Sequence, residues 1–340
     1  MQLKDLDFIY PEELVATERA AASRVMFVAN GDPCEFTKMQ LIEQFQNGDL
    51  LVINNTQVLK RRVFSEAGLE ILFLRQRDHF DWDVLCPSSR WKPTDRHQVL
   101  PGGLRIELIE RGRPQVVRTN LTLDEDYFQE FGEMPLPPYI QKARGERHNR
   151  TTDKDAYQTA WAQKPGSLAA PTASLHFSQV DLEELRAKGV QISELTLHVG
   201  LGTFLPITTE NLDAHPMHAE IVEIPETTWR AIQATKQRKG CVWALGTTVM
   251  RALESAALGK IPAPGIGETD LFIRPGFEFQ IVDALLTNFH QPQSTLLALV
   301  GAFAGLDNVK RTYAWAIERQ FRLFSYGDLT AWINSQSRQT

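Results

Sequence analysis

Apolar positions along the chain recur with two different periods, and the change of period divides it. Leu50 to Ile53 is a short apolar run between Gly48-Asp49 and Asn54-Asn55, the pattern of a buried strand that empties into a polar loop. From about Val58 to Gln129 the apolar positions come in brief, nearly alternating groups parted by turn residues: Leu69-Ile71-Phe73, Trp82-Val84, Leu104-Ile106-Leu108 and Val116-Val117. With no helical period before Asp124, this stretch predicts a small antiparallel sheet or barrel. Pro135, Pro137 and Pro138 lack backbone donors and impose an extended path that closes it.

Beyond residue 157 the pattern becomes helix then strand. Ser178 with Asp181 forms a capping signal for a helix that carries Val180, Leu182 and Leu185 and stops at Gly189, and Ile192 to Val199 follows as a strand. Pro225 opens a helix that Gly240 ends, Cys241 to Leu245 is a buried strand, and Gly246-Thr247-Thr248 starts a helix reaching about Leu258. Leu271-Phe272-Ile273 and Ile281 to Leu286 read as further strands, with Ser294 and Asp307 as caps of two closing helices. The fold class expected is α/β, a larger α/β domain made of 1–58 and 152–340 with a small antiparallel β-barrel domain, 59–151, inserted.

Ligands of open α/β sheets gather at the C-terminal ends of the strands. Three strands here run into polar loops at that end: Val199 into Gly200-Leu201-Gly202-Thr203, Leu245 into Gly246-Thr247-Thr248, and Leu286 into Thr287-Asn288-Phe289-His290. Gly200 and Gly202 permit close backbone approach, but Leu205 stands where a dinucleotide fingerprint has its third glycine, so spacing alone gives a tight turn. Thr247 and Thr248 either meet a ligand or simply cap the helix. His215-Pro216-Met217-His218-Ala219-Glu220 offers two imidazoles and a carboxylate. Pro216 breaks the helix such a zinc pair would use and no HExxH or CxxC string completes the set, so polar loop contacts are the better reading and no metal is expected. The chain has no G-x-S-x-G elbow and no P-loop, leaving hydrolase and triphosphatase readings without support.

Composition narrows the picture less. At 340 residues, 43% apolar and 23% charged, the chain is an ordinary globular one, which excludes disorder but selects no function. No apolar run reaches bilayer length and Met1-Gln2-Leu3-Lys4-Asp5 lacks the layout of a signal peptide, so a cytoplasmic location away from membranes is expected. Cys34, Cys86 and Cys241 are too few and too scattered for a disulfide framework or zinc site. A net charge of -6 does not point to nucleic acid by itself. Lys60-Arg61-Arg62, and the run from Lys142 to Lys154 with Arg144, Arg147 and Arg150, are local basic clusters that serve either phosphates or solvent.

The loop strings are more specific. Pro165-Gly166, Ala169-Ala170-Pro171-Thr172-Ala173, Leu175-His176-Phe177 and Leu197-His198-Val199-Gly200 are followed by His215-Pro216-Met217-His218, Gly246-Thr247-Thr248, Leu253-Glu254-Ser255, Gly267-Glu268-Thr269-Asp270, Thr287-Asn288-Phe289-His290 and Ser325-Tyr326-Gly327-Asp328. In this order and spacing they resemble the S-adenosylmethionine:tRNA ribosyltransferase-isomerases, queuosine-pathway enzymes that act on a deazaguanine base in the tRNA anticodon. The resemblance spans nearly the whole chain. It implies transfer and isomerisation of the ribosyl moiety of S-adenosylmethionine onto 7-aminomethyl-7-deazaguanine at the wobble position, giving epoxyqueuosine and releasing adenine and methionine. S-adenosylmethionine is then a cosubstrate, no prosthetic group or metal is implied, and a monomer is expected.

On the same resemblance the catalytic candidates are His176, His290, Glu254, Glu268 and Asp270. An imidazole titrates near working pH and suits proton transfer, and a carboxylate suits the sulfonium or the aminomethyl ammonium. Candidate substrate contacts are Thr172, His198, Gly200, Gly202, Thr203, His218, Thr247, Thr248, Asn288, Tyr326 and Asp328. Candidate tRNA contacts are Lys60, Arg61, Arg62, Lys142, Arg144 and Arg147. The chain departs from the family pattern at Gln57 (usually Arg), Ser174 (Gly), Val249 (Ser), Ala219 (Ser) and Leu329-Thr330 (Ala-Met), and is shortened around Thr17-Glu18-Arg19. These departures keep two alternatives open: a relative that uses S-adenosylmethionine on another amine or nucleic acid, and a non-catalytic tRNA-binding module.

Overall fold

Four apolar runs lie side by side as parallel strands, in the order Gln191–Leu197, Leu50–Asn54, Val242–Leu245 and Ala284–Asn288. The last three are buried at every position, which is why they read as continuous runs and not as alternation. The structure, a computed structural model, describes residues 1–87, 90, 91, 97–200, 202, 207 and 209–333, the side chain of Asp213 excepted. Antiparallel strands extend the sheet on both flanks to nine. Glu220–Ile224 and Gly265–Thr269 lie on one side. On the other, Leu329–Ile333 pairs antiparallel with Ala284–Asn288 and parallel with Arg24–Ala29, which turns back into Asp32–Thr37.

That hairpin has a physical signal the periodicity did not reveal. Asn30 and Gly31 take φ of 54° and 90°, the left-handed pair a two-residue hairpin turn requires. Pro33 falls in the outermost strand, where it has a free side on which no donor is needed. Each face of the sheet carries its own core. Helices Glu226–Gln237, Thr247–Ala257, Thr295–Ala304 and Leu306–Glu318 cover one face through Ile232, Leu253, Leu297 and Val309. Lys38–Glu43 and Gln179–Ala187 cover the other through Leu41, Leu182 and Leu185.

The alternating stretch forms a six-stranded antiparallel sheet, in the order Arg62–Phe64, Glu70–Gln76, Asp81–Leu85, Gln115–Thr119, Leu104–Glu110 and His97–Leu100. It curls around Phe73, Trp82, Val117 and Phe128. Among the described residues no ladder closes it into the expected barrel. Its two edges approach where the Glu66 N–H donates to the Val99 carbonyl (2.8 Å) and Ser65 bonds Gln98 (3.2 Å).

Two local expectations change. Leu271-Phe272-Ile273 is not a strand; Leu271 and Ile273 bury their side chains in the core, while the ladder is made by Gly265–Thr269. A Cβ on Gly267 would lie 2.9 Å from Pro262 Cδ, so the edge strand runs where only glycine lets it pass. Pro138 does not prolong an extended path but opens the helix Pro138–Arg144, whose first position needs no N–H donor.

Candidate active site at the strand ends

His176 ends a 3-10 turn, Thr172–His176, and lies across the sheet edge. Asn288, the last residue of its strand, turns its side-chain nitrogen toward His176 Nε2 (3.0 Å) and the carbonyl of Phe324 (3.1 Å). Because a backbone carbonyl fixes that nitrogen as the donor, Nε2 of His176 must accept, and Nδ1 carries the proton toward Ser23 Oγ 2.6 Å away. The ring is only partly exposed. Burial, reinforced by the positive charges of Arg19, Lys38 and Arg322, pushes its pKa down to about 3. His176 is therefore a neutral imidazole with a defined tautomer.

His198, just past the strand Gln191–Leu197, occupies the other half of the edge. Its Nδ1 is 2.7 Å from Thr56 Oγ1. Asn54 ties the neighbouring strand ends together: its Oδ1 accepts from the N–H groups of Thr56 and Leu197 (both 3.1 Å), and its Nδ2 donates to the Leu197 carbonyl (3.0 Å). The Gly200 N–H donates to Glu220 (3.0 Å), which is ion-paired with the partly buried Arg251. Gly166 presses on the His198 ring, where an added Cβ would stand 2.7 Å from Cε1. Gly166→Ala is expected to cost about 1–3 kcal/mol of stability by overpacking and to displace His198. Urea unfolding checks the first, and an unchanged midpoint would mean that the ring is not clamped there.

The other predicted residues divide by position. Glu254 is fully buried and accepts from the N–H groups of Gln280 (2.8 Å), Ile281 (3.0 Å) and Val282 (2.9 Å), so it holds that loop. Glu268 and Asp270 are exposed, the first on the outermost strand and the second 3.6 Å from Lys260. Five strand spacings, roughly 24 Å, separate that strand from Asn288. The structure does not bring these carboxylates to His176. His290 is buried, with Nε2 3.0 Å from Thr287 Oγ1 and its N–H on the Tyr313 hydroxyl (3.1 Å); burial pushes its pKa down to about 3.

Asp328 is buried and accepts from the N–H groups of Arg24 (3.1 Å) and Arg322 (2.8 Å), tying two segments beside His176. Tyr326 packs edge-on to Tyr157, its hydroxyl buried without a partner. Thr247 and Thr248 open their helix after Gly246, Thr172 opens the turn that carries His176, and His218 is exposed beside Gly202. Thr203 lies outside the described residues.

Of the six basic candidates, three are committed inside the protein. Arg61 pairs with Glu125 and stacks over Phe128, Arg62 pairs with Glu133 (2.8 Å), and Arg144 forms a buried two-pronged pair with Asp153 (2.7 and 2.9 Å). Lys60, Lys142 and Arg147 stay at the surface, held loosely by the Gln129 carbonyl, Glu12 and the Gly68 carbonyl. Among the departures, Val249 and Leu329 sit wholly in the core, whereas the Ser174 hydroxyl is buried without a partner in the turn that carries His176.

Arg19, Ser23, Lys38 and Arg322 surround His176, and none was among the site candidates drawn from the sequence. They converge only through the fold. Residues Glu13 to Ala21 and Arg322 also line a cavity of about 440 Å³, within the range of small-ligand sites.

Residues 3–331 match a family model described as Queuosine biosynthesis protein. The chain is 43% identical over 343 residues to the S-adenosylmethionine:tRNA ribosyltransferase-isomerase of Geotalea uraniireducens, covering 96% of this chain and 98% of the relative. It is 44% identical over 345 residues to the like-named protein of Geobacter sulfurreducens, with the same coverage. Among solved structures, the S-adenosylmethionine tRNA ribosyltransferase from Thermotoga maritima aligns with a TM-score of 0.56 and 31% identity over 96% of this chain and 99% of its own. With the loop strings and the matched length in agreement, this chain belongs to the queuosine biosynthesis protein family.

Proposed function

We propose that this protein transfers and isomerises the ribosyl moiety of S-adenosylmethionine onto 7-aminomethyl-7-deazaguanine at the tRNA wobble position, giving epoxyqueuosine and releasing adenine and methionine. One observation in the site carries the reading: a neutral His176 whose Nε2 lone pair is aimed by Asn288 at the edge where the sheet's loops meet. The relatives bear the corresponding enzyme name.

The chemistry needs a group to take a proton next to the sulfonium and one to return a proton to departing adenine. In this reading His176 does both. Nε2 accepts the first proton once substrate displaces the Asn288 N–H, and the imidazolium so formed is the donor for adenine. Ser23 holds the opposite nitrogen and keeps the tautomer. His198, Gly200 and Gly202 line the other half of the edge, about three strand spacings or roughly 14 Å away, which leaves room for donor and acceptor side by side. Lys60, Lys142 and Arg147 supply phosphate contacts, with 59–151 as an inserted unit carrying all three. In this reading the protein acts on tRNA in the cytoplasm, as a monomer; no described helix is long and apolar enough to cross a membrane.

An anticodon stem-loop bearing 7-aminomethyl-7-deazaguanine, incubated with purified protein and S-adenosylmethionine, should gain the epoxycyclopentanediol mass with stoichiometric adenine. Adenine release without RNA would instead indicate a small-amine acceptor. No adenine under any condition would leave a tRNA-binding module.

A further inference from the structure

A cavity lined by one short segment, Glu13 to Ala21, and by Arg322 shares these two arginines, Arg19 and Arg322, with the surroundings of His176. Two guanidiniums serve it, and among the described residues neither forms an ion pair, although the Asp328 carboxylate, which accepts from the Arg322 backbone N–H, lies within the field of Arg322. Among the described residues Arg19 makes no ion pair or hydrogen bond, and the Arg322 side chain donates to the Glu18 carbonyl. Of the two acids in the lining, Glu18 turns toward Arg150 (3.6 Å) and Glu13 is exposed at the rim. The two arginines make this wall positive, and both also act on the nearby His176 imidazole. Arg19 is exposed at this wall, so an incoming anion can reach its guanidinium without displacing an internal partner.

The same wall is continuous with the basic run of the chain. Lys142 pairs with Glu12 (2.9 Å), Arg144 donates to the Thr17 carbonyl (2.9 Å), and Arg150 lies against Glu18. A polyanion following the Lys142–Arg150 surface would thus pass the cavity mouth.

We propose that this cavity receives a backbone phosphate of the RNA acceptor, gripped by Arg19 and Arg322, and that this contact sets the modified base beside His176. The inference rests on the proposed function for the identity of the polyanion, and it assigns Arg19 and Arg322 as binding and positioning residues. It also gives the shortened Thr17-Glu18-Arg19 segment a purpose, since that segment forms the wall.

The test compares wild-type protein with Arg19→Ala and Arg19→Lys. Arg19 has no internal partner, so the fold should be unaffected. Binding of a fluorescent anticodon stem-loop is measured across a salt series, and binding of S-adenosylmethionine by calorimetry without RNA. Losing one phosphate contact should lower the slope of log affinity against log salt by about one and weaken RNA binding roughly eightfold at about 0.1 M salt. Arg19→Lys should restore the slope, and the affinity for S-adenosylmethionine should not move. Weakened donor binding with unchanged RNA binding would assign the cavity to the donor's carboxylate and overturn the proposal, and no change in either would overturn it as an anion site. These readouts need no turnover, so a failure of the proposed reaction would appear separately, as wild-type protein that binds RNA without releasing adenine.

Discussion

Turnover of a His176→Ala variant is expected to fall by about 10²- to 10⁴-fold, the usual worth of a positioned proton-transfer group, while S-adenosylmethionine still binds. The ring touches Ser23 and Asn288 at its two nitrogens and supports no core strand, so its removal should leave the fold intact. Its pKa of about 3 sharpens the expectation. An imidazole with an ordinary pKa would give the free enzyme an acid limb near 6.5. Here that limb should be missing, and kcat/KM should stay level from pH 8 to pH 6 as far as His176 is concerned. A well-defined limb near 6.5 that disappears in Asn288→Ala, with kcat otherwise retained, would mean that the ring is solvated and the tautomer argument fails. Turnover unchanged in His176→Ala would remove it from the chemistry altogether.

Acid should destabilise the protein well before its carboxylates titrate. His176 and His290 both have folded-state pKa values pushed down to about 3 by burial, against an ordinary 6.5 when unfolded. Between those values the unfolded chain binds protons that the folded chain refuses, so the stability these groups contribute is complete above pH 6.5 and drains away as pH falls toward 3. Each histidine is worth at most about 1.4 kcal/mol per pH unit in that window. From pH 7 to pH 5.5 the two together should remove about 2 kcal/mol, with His290 the larger share because solvent reaches part of the His176 ring. His198 and His215 act in the same sense, both lowered first by burial. Glu254 and Asp328 act oppositely, since burial raises their pKa values, but only nearer the carboxylate range. Urea unfolding at the two pH values reads the drop directly. His290→Asn should remove more than half of it, and an equal drop in that variant would place the acid sensitivity elsewhere.

Much of the sheet was legible because its central strands are buried on both faces and stand out as unbroken apolar runs. The flanks were harder. Leu271-Phe272-Ile273 is as apolar as a strand yet only fills the core, while the strand beside it contains Gly265 and Gly267 and has little apolar signature. Periodicity reports burial, and burial and ladder pairing part company at a sheet edge. The Asn30-Gly31 turn did carry a local signal, through two left-handed residues, but its partner strand Leu329–Ile333 lies at the far end of the chain.

The site was legible in the same uneven way. His176, His198 and Asn288 belong to strings specific enough to name a family. Arg19, Ser23, Lys38 and Arg322 are ordinary residues in ordinary surroundings, and only tertiary structure gives them a common neighbour. Conversely, Arg61, Arg62 and Arg144 looked like an RNA surface in a linear reading. Their carboxylate partners Glu125, Glu133 and Asp153 are between 9 and 71 residues away and could not be matched to them beforehand.

The strand Leu329–Ile333 sits between Ala284–Asn288 and Arg24–Ala29, and Asp328 bonds the N–H of Arg24, a residue 304 positions earlier. During synthesis the first hairpin is made early, yet its inner edge has nothing to pair with until the ribosome has delivered almost all of the chain. At about 5–20 residues per second, that wait is roughly 15–60 s. For this interval the nascent protein exposes an apolar strand edge. A chain that stalls before residue 329 therefore cannot begin modifying tRNA, and it presents the cell's quality-control machinery with an open edge to seize.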